Sequence, residues 1–367
     1  MPVSSLSKRS FNLSGPVAQV PNPAVATAAA LAPNVATSGW VANVFVSPSG
    51  SDSNNGLSAA SPKLTLTAAM NLATAGQTIS LANGSYVGNF STTKGGTAGN
   101  PITIRAANKH LATLEGFIRS IHQYVIWRDL DFQRPAGRSG LGVEVNNTSV
   151  INCKFHNICK FDPGSDGASA LTVVDPASYD TVMSNILIDG CEVYDIGEGV
   201  GLNGTVQGLY VSNPVTAGTG IISNNLCYGV CDFGIHAFHN PNNWIYVNNT
   251  VVGCGRGILQ GPNGITRNNI SYNNQSWNYD IRGTGNVLSN NFSGGDGEDQ
   301  AYGGVTQGVN PLFVNGVVNT SGTGDFRLQS GSTCRNAGTL TNAPPIDITG
   351  ASRPIGAAVD CGCYEMG

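Results

Sequence analysis

Tyr246-Val-Asn-Asn249-Thr-Val-Val252, Thr266-Arg-Asn-Asn269-Ile-Ser-Tyr272 and Leu288-Ser-Asn-Asn291-Phe-Ser293 repeat one pattern, a short run ending in two asparagines and then a second short run. Ile222-Ser-Asn-Asn225-Leu-Cys-Tyr228 precedes them, and the four second asparagines stand 24, 20 and 22 residues apart. That period fits one coil of a solenoid and is too short for two parallel strands joined by a helix. Asparagine suits such a corner, because it tolerates a tight left-handed turn and its amide can hydrogen-bond from one coil to the next.

Upstream the same frame continues. Val125-Ile-Trp-Arg-Asp-Leu130-Asp-Phe132, Val150-Ile-Asn-Cys153-Lys-Phe155 and Ile188-Asp-Gly-Cys191-Glu-Val-Tyr194 align with the asparagine coils, placing Leu130, Cys153 and Cys191 at the corner. Cys153 and Cys191 read as small buried packing residues there. A second strand per coil also repeats, as Ala170-Leu-Thr-Val-Val174, Gly199-Val-Gly-Leu-Asn203, Gly234-Ile-His236-Ala-Phe238, Gly257-Ile-Leu-Gln260 and Asn278-Tyr-Asp280-Ile-Arg282. Alternation turns Leu171, Val200, Ile235, Ile258 and Tyr279 inward, and Thr172, Gly201, His236, Leu259 and Asp280 outward. Two coils are long, with gaps of 38 and 34 residues from Cys153 and Cys191. The excess leaves the coil as loops near 161–169 and 204–218, where adjacent loops can wall a groove. The expected fold is all-β: a single-stranded right-handed parallel β-helix over 44–367, closed by a segment over 308–367.

The N-terminal end reads differently. Residues 1–43 contain Val20-Pro-Asn-Pro-Ala-Val-Ala-Thr-Ala-Ala-Ala-Leu-Ala-Pro33, whose prolines stop a long helix and whose small side chains build no core. An extended arm or linker is expected, one that can become ordered against a partner. Over 44–80, Val44-Phe-Val-Ser-Pro48 reads as a first strand. The stretch from Ser61-Pro62 to Ala75-Gly76 has an apolar face of Leu64, Leu66, Ala69, Met70, Leu72 and Ala73, so a short α-helix is expected to cap the first coil.

Composition narrows the function classes. Charged residues make up 11% of the chain and the formal net charge is -4, which gives no basic footprint for nucleic acid. No apolar run approaches the roughly 18 residues of a membrane-spanning helix, so no membrane is expected as partner. Phe11 to Val20 is interrupted by Asn12, Ser14, Gly15, Pro16 and Gln19 and does not read as a secretory h-region, so the expectation is either export without a classical signal, for example in a virion released by lysis, or a cytoplasmic protein. Nine cysteines, with no CxxC pair, leave at least one without an intramolecular disulfide.

Val44-Phe-Val-Ser-Pro-Ser-Gly-Ser-Asp-Ser-Asn-Asn-Gly56, Ala75-Gly-Gln-Thr-Ile79, Asn83-Gly-Ser-Tyr86 and Gly99-Asn-Pro-Ile-Thr-Ile-Arg-Ala106 resemble the opening of right-handed parallel β-helix proteins of the polysaccharide-lyase-like (pectin-lyase-like) superfamily. Asn310-Pro-Leu-Phe-Val314, Gly324-Asp-Phe-Arg-Leu-Gln-Ser-Gly-Ser332, Asn336-Ala-Gly338 and Val359-Asp-Cys-Gly-Cys-Tyr-Glu365 resemble its closing segment. The resemblance implies the fold and leaves the activity open, since the superfamily holds lyases, glycoside hydrolases, phage tailspikes and proteins without a known reaction. The lyase pattern of a Lys and an Arg flanking a calcium cluster is not found, nor are the signatures of polygalacturonase-like hydrolases.

Lys160, near Asp162 and Asp166, is the best-placed base for eliminating a uronic acid. His236, Asp280 and Arg282 share an outward stripe, with His236 and Asp280 two coils and roughly 10 Å apart, beyond hydrogen-bond reach. Asn203, His236, Phe238, Asp280 and Arg282 are therefore expected to contact a ligand at spread points rather than to form a dyad. The carboxylate pairs Asp195/Glu198 and Asp175/Asp180 are the alternatives for hydrolysis. Calcium has no supporting motif; Gly294-Gly-Asp-Gly-Glu-Asp299 lacks a calcium-loop spacing and reads as a turn. Asn225, Asn249, Asn269 and Asn291 are expected to be structural, and Cys334 to bridge Cys361 or Cys363 or to remain a packing residue.

The function expected from this is a virion-associated, tailspike-like or decorating protein that contacts surface polysaccharide and joins other virion proteins through its arm. An extracellular polysaccharide lyase or glycoside hydrolase with an unfamiliar site, and a purely structural particle component, are the alternatives. A homotrimer would have to form through the β-helix flanks or the arm, as no heptads are present.

Overall fold

The computed structural model describes residues 39–161, 167–174, 183–197, 202, 204–212, 218–238, 241–297, 302–319 and 321–367. The chain is a parallel β-helix. Its strands stack into three long sheets of ten, ten and eight strands, and each full coil visits them in the order A, B, C. One such coil comprises Thr148–Ile151 in sheet A, Lys154–Ile158 in sheet B and Ala168–Val173 in sheet C. Every pairing within these sheets is parallel, so each strand hydrogen-bonds to its counterparts one coil before and after.

The A-to-B corner shows why the sequence repeats two asparagines. The first of each pair is left-handed, with φ of 53° at Asn224, 54° at Asn248 and Asn268, and 57° at Asn290. The second points inward and stacks. Asn225 donates its backbone N–H and its Nδ2 to Asn249 Oδ1, both at 3.0 Å; Asn249 does the same to Asn269 Oδ1 at 2.9 and 3.0 Å, and Asn269 to Asn291 Oδ1 at 3.1 and 3.0 Å. The remaining amide protons reach the carbonyls of Ile188, Ile222, Tyr246 and Thr266, so these buried side chains are fully employed. Cys153 and Cys191 continue the row, both buried, and the Cys191 N–H donates to Asn225 Oδ1 at 2.9 Å. A second asparagine corner, between sheets C and A, was not anticipated: Asn147, Asn185, Asn243 and Asn263 there are also left-handed.

The first asparagines hold the closing segment. Asn290, Asn268 and Asn224 donate Nδ2 to the carbonyls of Ala337, Thr339 and Ile346 at 2.8, 2.8 and 2.9 Å, and Asn248 donates to those of Asp360 and Gly362 at 2.9 and 3.2 Å. The segment also lays the hairpin Phe313–Asn315 and Asp325–Leu328 over the aromatic column of sheet B, where Phe326 meets Tyr228 at 4.9 Å. Cys334, Cys361 and Cys363 are buried thiols, so no bridge forms among them. Burial pushes Cys334 and Cys363 up to about 12, and the Cys361 thiol donates to the Asn290 carbonyl at 3.1 Å.

Three expectations need correction at the element level. The cap helix is only Leu66–Leu72, shorter than the stretch from Ser61 to Gly76, because Lys63 bonds to Phe45 and Asp52 accepts the N–H groups of Leu64 and Thr65, leaving Thr65 as N-cap. It buries Leu66, Ala69 and Met70 against the first coil, while Leu64 and Leu72 are exposed. The sheet C strand of the coil after Cys191 is Val206–Ser212, within the stretch expected as a loop: Leu209 pairs with Leu171 and Tyr210 with Thr172, whereas Val200, Gly201 and Asn203 of the expected strand lie outside the described residues. The body also begins before Val44, since Asn43 bonds to Thr78 through backbone and side chain and the Trp40 ring lies 4.0 Å from the Arg105 guanidinium.

Candidate functional site

Sheet C is where the coils depart from their period. Long connections run between Lys154–Ile158 and Ala168–Val173, between Ala168–Val173 and Ser184–Asp189, and on both sides of Val206–Ser212, so they begin or end at strands of this sheet. Inside, Leu141, Leu171, Leu209, Ile235, Ile258 and Tyr279 pair in one apolar row. The next residue of each strand must then face outward, which gives the row Arg119, Gly142, Thr172, Tyr210, His236, Leu259 and Asp280.

The middle of this row is aromatic. His236 stacks on Phe233 at 3.9 Å between ring centroids, meets Tyr210 edge-on at 5.5 Å and Phe238 at 5.2 Å. His236 faces outward as expected, yet it is only 4% exposed, so it serves as the platform that sets its neighbours. Phe238, 39% exposed, and the half-buried Tyr210 present ring surface instead. Beside them the Arg256 guanidinium lies between the rings of Phe233 and Trp277, at 4.8 and 5.1 Å, and gives Nη1 to Asp232 at 2.7 Å. Burial pushes the Asp232 carboxyl up, against the pull of Arg256.

The ends of the row are polar. Arg119 gives Nε and Nη2 to the two Glu144 oxygens at 2.7 and 2.6 Å, a bond that raises its own pKa. At the other end Arg282 gives Nε and Nη2 to Asp280 at 3.0 and 2.7 Å, so Asp280 is engaged by the residue that follows its strand. Lys160 Nζ is bonded to Asp195. Asn203, Asp162, Asp166, Asp175, Asp180, Glu198 and Asp299 lie outside the described residues. Among the described residues no group of three or more His, Cys, Asp or Glu is arranged to hold a metal.

Sheet B carries a second polar group that the sequence did not disclose. His156 Nε2 lies 3.0 Å from Asp131 Oδ1, and Asp131 Oδ2 accepts from Gln133 and Thr113 at 2.8 and 3.1 Å. Burial works against the Asp131 carboxylate, but these bonds and the imidazole bring its pKa below the ordinary value. The His156 ring stacks on Tyr194 and Tyr194 on Tyr228, each at 5.0 Å, so the pair heads the column that the closing segment covers. His156 and Tyr194 each follow a buried residue, Phe155 and Val193, in their strands.

No family model matches the chain, and no curated protein matches its sequence. Among solved structures, pectate lyase Pel9A is similar with a TM-score of 0.47 and 19% identity, over 88% of this chain and 96% of that one. The GH136 lacto-N-biosidase from Eubacterium ramulus is similar with a TM-score of 0.50 and 15% identity, over 68% and 55% of the two chains. A rhamnogalacturonan lyase gives 0.41 and 13%, over 75% and 91%. At these identities the likeness is one of fold. The chain therefore shares a parallel β-helix fold with these structures, and its site has to be read from its own residues.

Proposed function

We propose that the outer face of sheet C binds a surface polysaccharide. The observation that carries this reading is the aromatic group of Tyr210, Phe233, His236 and Phe238 on sheet C, whose strands are flanked by long connections. Ring faces are electron-rich and attract the C–H face of a pyranose, while flanking ion pairs offer donors and acceptors to its hydroxyls. Contacts spread over several coils suit a polymer. A reaction would instead need base, acid and charge-stabilising groups around one centre. In this reading Phe238, Tyr210, Asp280 and Arg282 touch the glycan and His236 positions the rings. Its setting is a virion or other particle, tailspike-like or decorating, to which residues 1–43 join it.

The test is retention of the full chain on a panel of immobilised polysaccharides. Tyr210→Ala and Phe238→Ala are each expected to weaken the best interaction by about 1–2 kcal/mol, roughly five- to thirtyfold. Unchanged retention in both variants would remove sheet C from the reading. A second reading, a polysaccharide-cleaving enzyme, is favoured by the His156–Asp131 pair, in which the carboxylate can fix the imidazole tautomer. Product release from any polymer of the panel, abolished in His156→Ala, would establish it over simple binding.

A further inference from the structure

The strands of sheet C carry two arginines, Arg119 and Arg256, and a third, Arg282, follows the last strand. Each is held by a carboxylate of its own: Arg119 by Glu144, Arg256 by Asp232 and Arg282 by Asp280. The three pairs are distributed along the whole face, and their charges cancel locally. Arg134, at the border with sheet B, lies over the Phe117 ring at 4.9 Å and gives Nη1 to the Ser139 carbonyl.

A paired arginine is a poor receptor for an anionic sugar. A uronate would have to displace Glu144, whose side chain is 9% exposed, and leave that carboxylate buried without its partner. The same pair suits a neutral sugar, because the remaining guanidinium N–H groups donate and the remaining carboxylate lone pairs accept, which is what two adjacent hydroxyls require. The strand beneath the pair carries no side chain at this point, since Gly142 is buried under Glu144 and Phe117. Gly142 stands in register between Arg119 and Thr172, and a side chain there would meet Glu144 Oε1 at 3.4 Å and the Phe117 ring at 3.5 Å.

Resting on the reading that this face binds a polysaccharide, we infer that its ligand is built of neutral pyranose units, held at vicinal hydroxyls by the Arg119–Glu144 pair over Gly142, and is not a polyuronate. The full chain is run by affinity electrophoresis through gels containing a neutral galactan, a neutral mannan, polygalacturonate or alginate, at about 50 and about 500 mM NaCl. A neutral polymer is expected to retard it about tenfold more strongly than either polyuronate, with less than about a twofold change between the two salts. Glu144→Gln frees Arg119 and is expected to raise retardation by polygalacturonate about threefold or more at low salt, a gain that misfolding cannot produce. Gly142→Val, whose Cβ fits without a backbone clash, is expected to reduce retardation by the neutral polymer. Stronger, salt-sensitive retardation of the unaltered chain by a polyuronate, or no gain with Glu144→Gln, overturns the inference while leaving the face a glycan site. Retardation by none of the four polymers overturns the binding reading itself, and the inference falls with it.

Discussion

Each Asn-Asn pair divides two tasks between neighbouring residues. Asn249 was legible as a corner because its partners recur one coil away and leave a period in the sequence. The role of Asn248 was not, since it donates to a carbonyl 112 residues further on, and no local pattern encodes such a partner. Replacing Asn249 with Leu removes the acceptor of both Asn225 donors and leaves the Ile222 carbonyl without its side-chain donor in a fully buried corner. A loss of about 2–4 kcal/mol in unfolding free energy is expected, read as a lower urea midpoint at unchanged slope, with glycan binding intact in the folded protein. An unchanged midpoint would show that the ladder contributes no net stability. His236 shows the same limit of sequence reading from the other side: alternation gave its direction, but its burial comes from Phe233 at i−3 and Tyr210 on the neighbouring coil.

Among the elements, the sheet C strand of the coil after Cys191 was misplaced because two alternating runs competed for it. Gly199-Val-Gly-Leu-Asn203 has the right period, yet Val206–Ser212 is longer and richer in β-branched and aromatic residues, and it pairs on both sides. That pairing puts Tyr210 on the site, in register with Thr172 and His236. The closing segment was legible as a unit, whereas its seat was not, because the outward tyrosines of sheet B that receive Phe326 looked like ordinary surface. Phe326 is 1% exposed between Tyr228 and Phe313. Phe326→Ala is expected to cost about 3–5 kcal/mol and to release the segment, seen as early proteolysis beyond residue 308 before the β-helix itself unfolds. Simultaneous loss of both parts would mean that the segment and the coils form one cooperative unit.

At the scale of the whole molecule the architecture could be read almost complete, since a solenoid writes its period into the chain, while the ligand face could be read only in part, since it depends on which outward residues lie in register. The arm offers a separate check on how the body is bounded. Deleting residues 1–38 is expected to shift the melting temperature by less than about 3 °C, whereas deleting 1–43 also removes Trp40 from Arg105 and Asn43 from Thr78 and is expected to lower it further. Equal melting of the two truncated chains would show that these contacts carry no stability.

The binding face itself is tested most directly by hydroxyl-radical footprinting of the full chain with and without the polysaccharide that retains it best. Protection is expected at Tyr210, Phe238 and Trp277 on and beside sheet C, with Tyr272 and His156 on sheet B oxidised at the same rate in both samples. Protection of Tyr272 or His156 with none at Tyr210 and Phe238 would contradict the assignment and move the glycan to the other face of the β-helix.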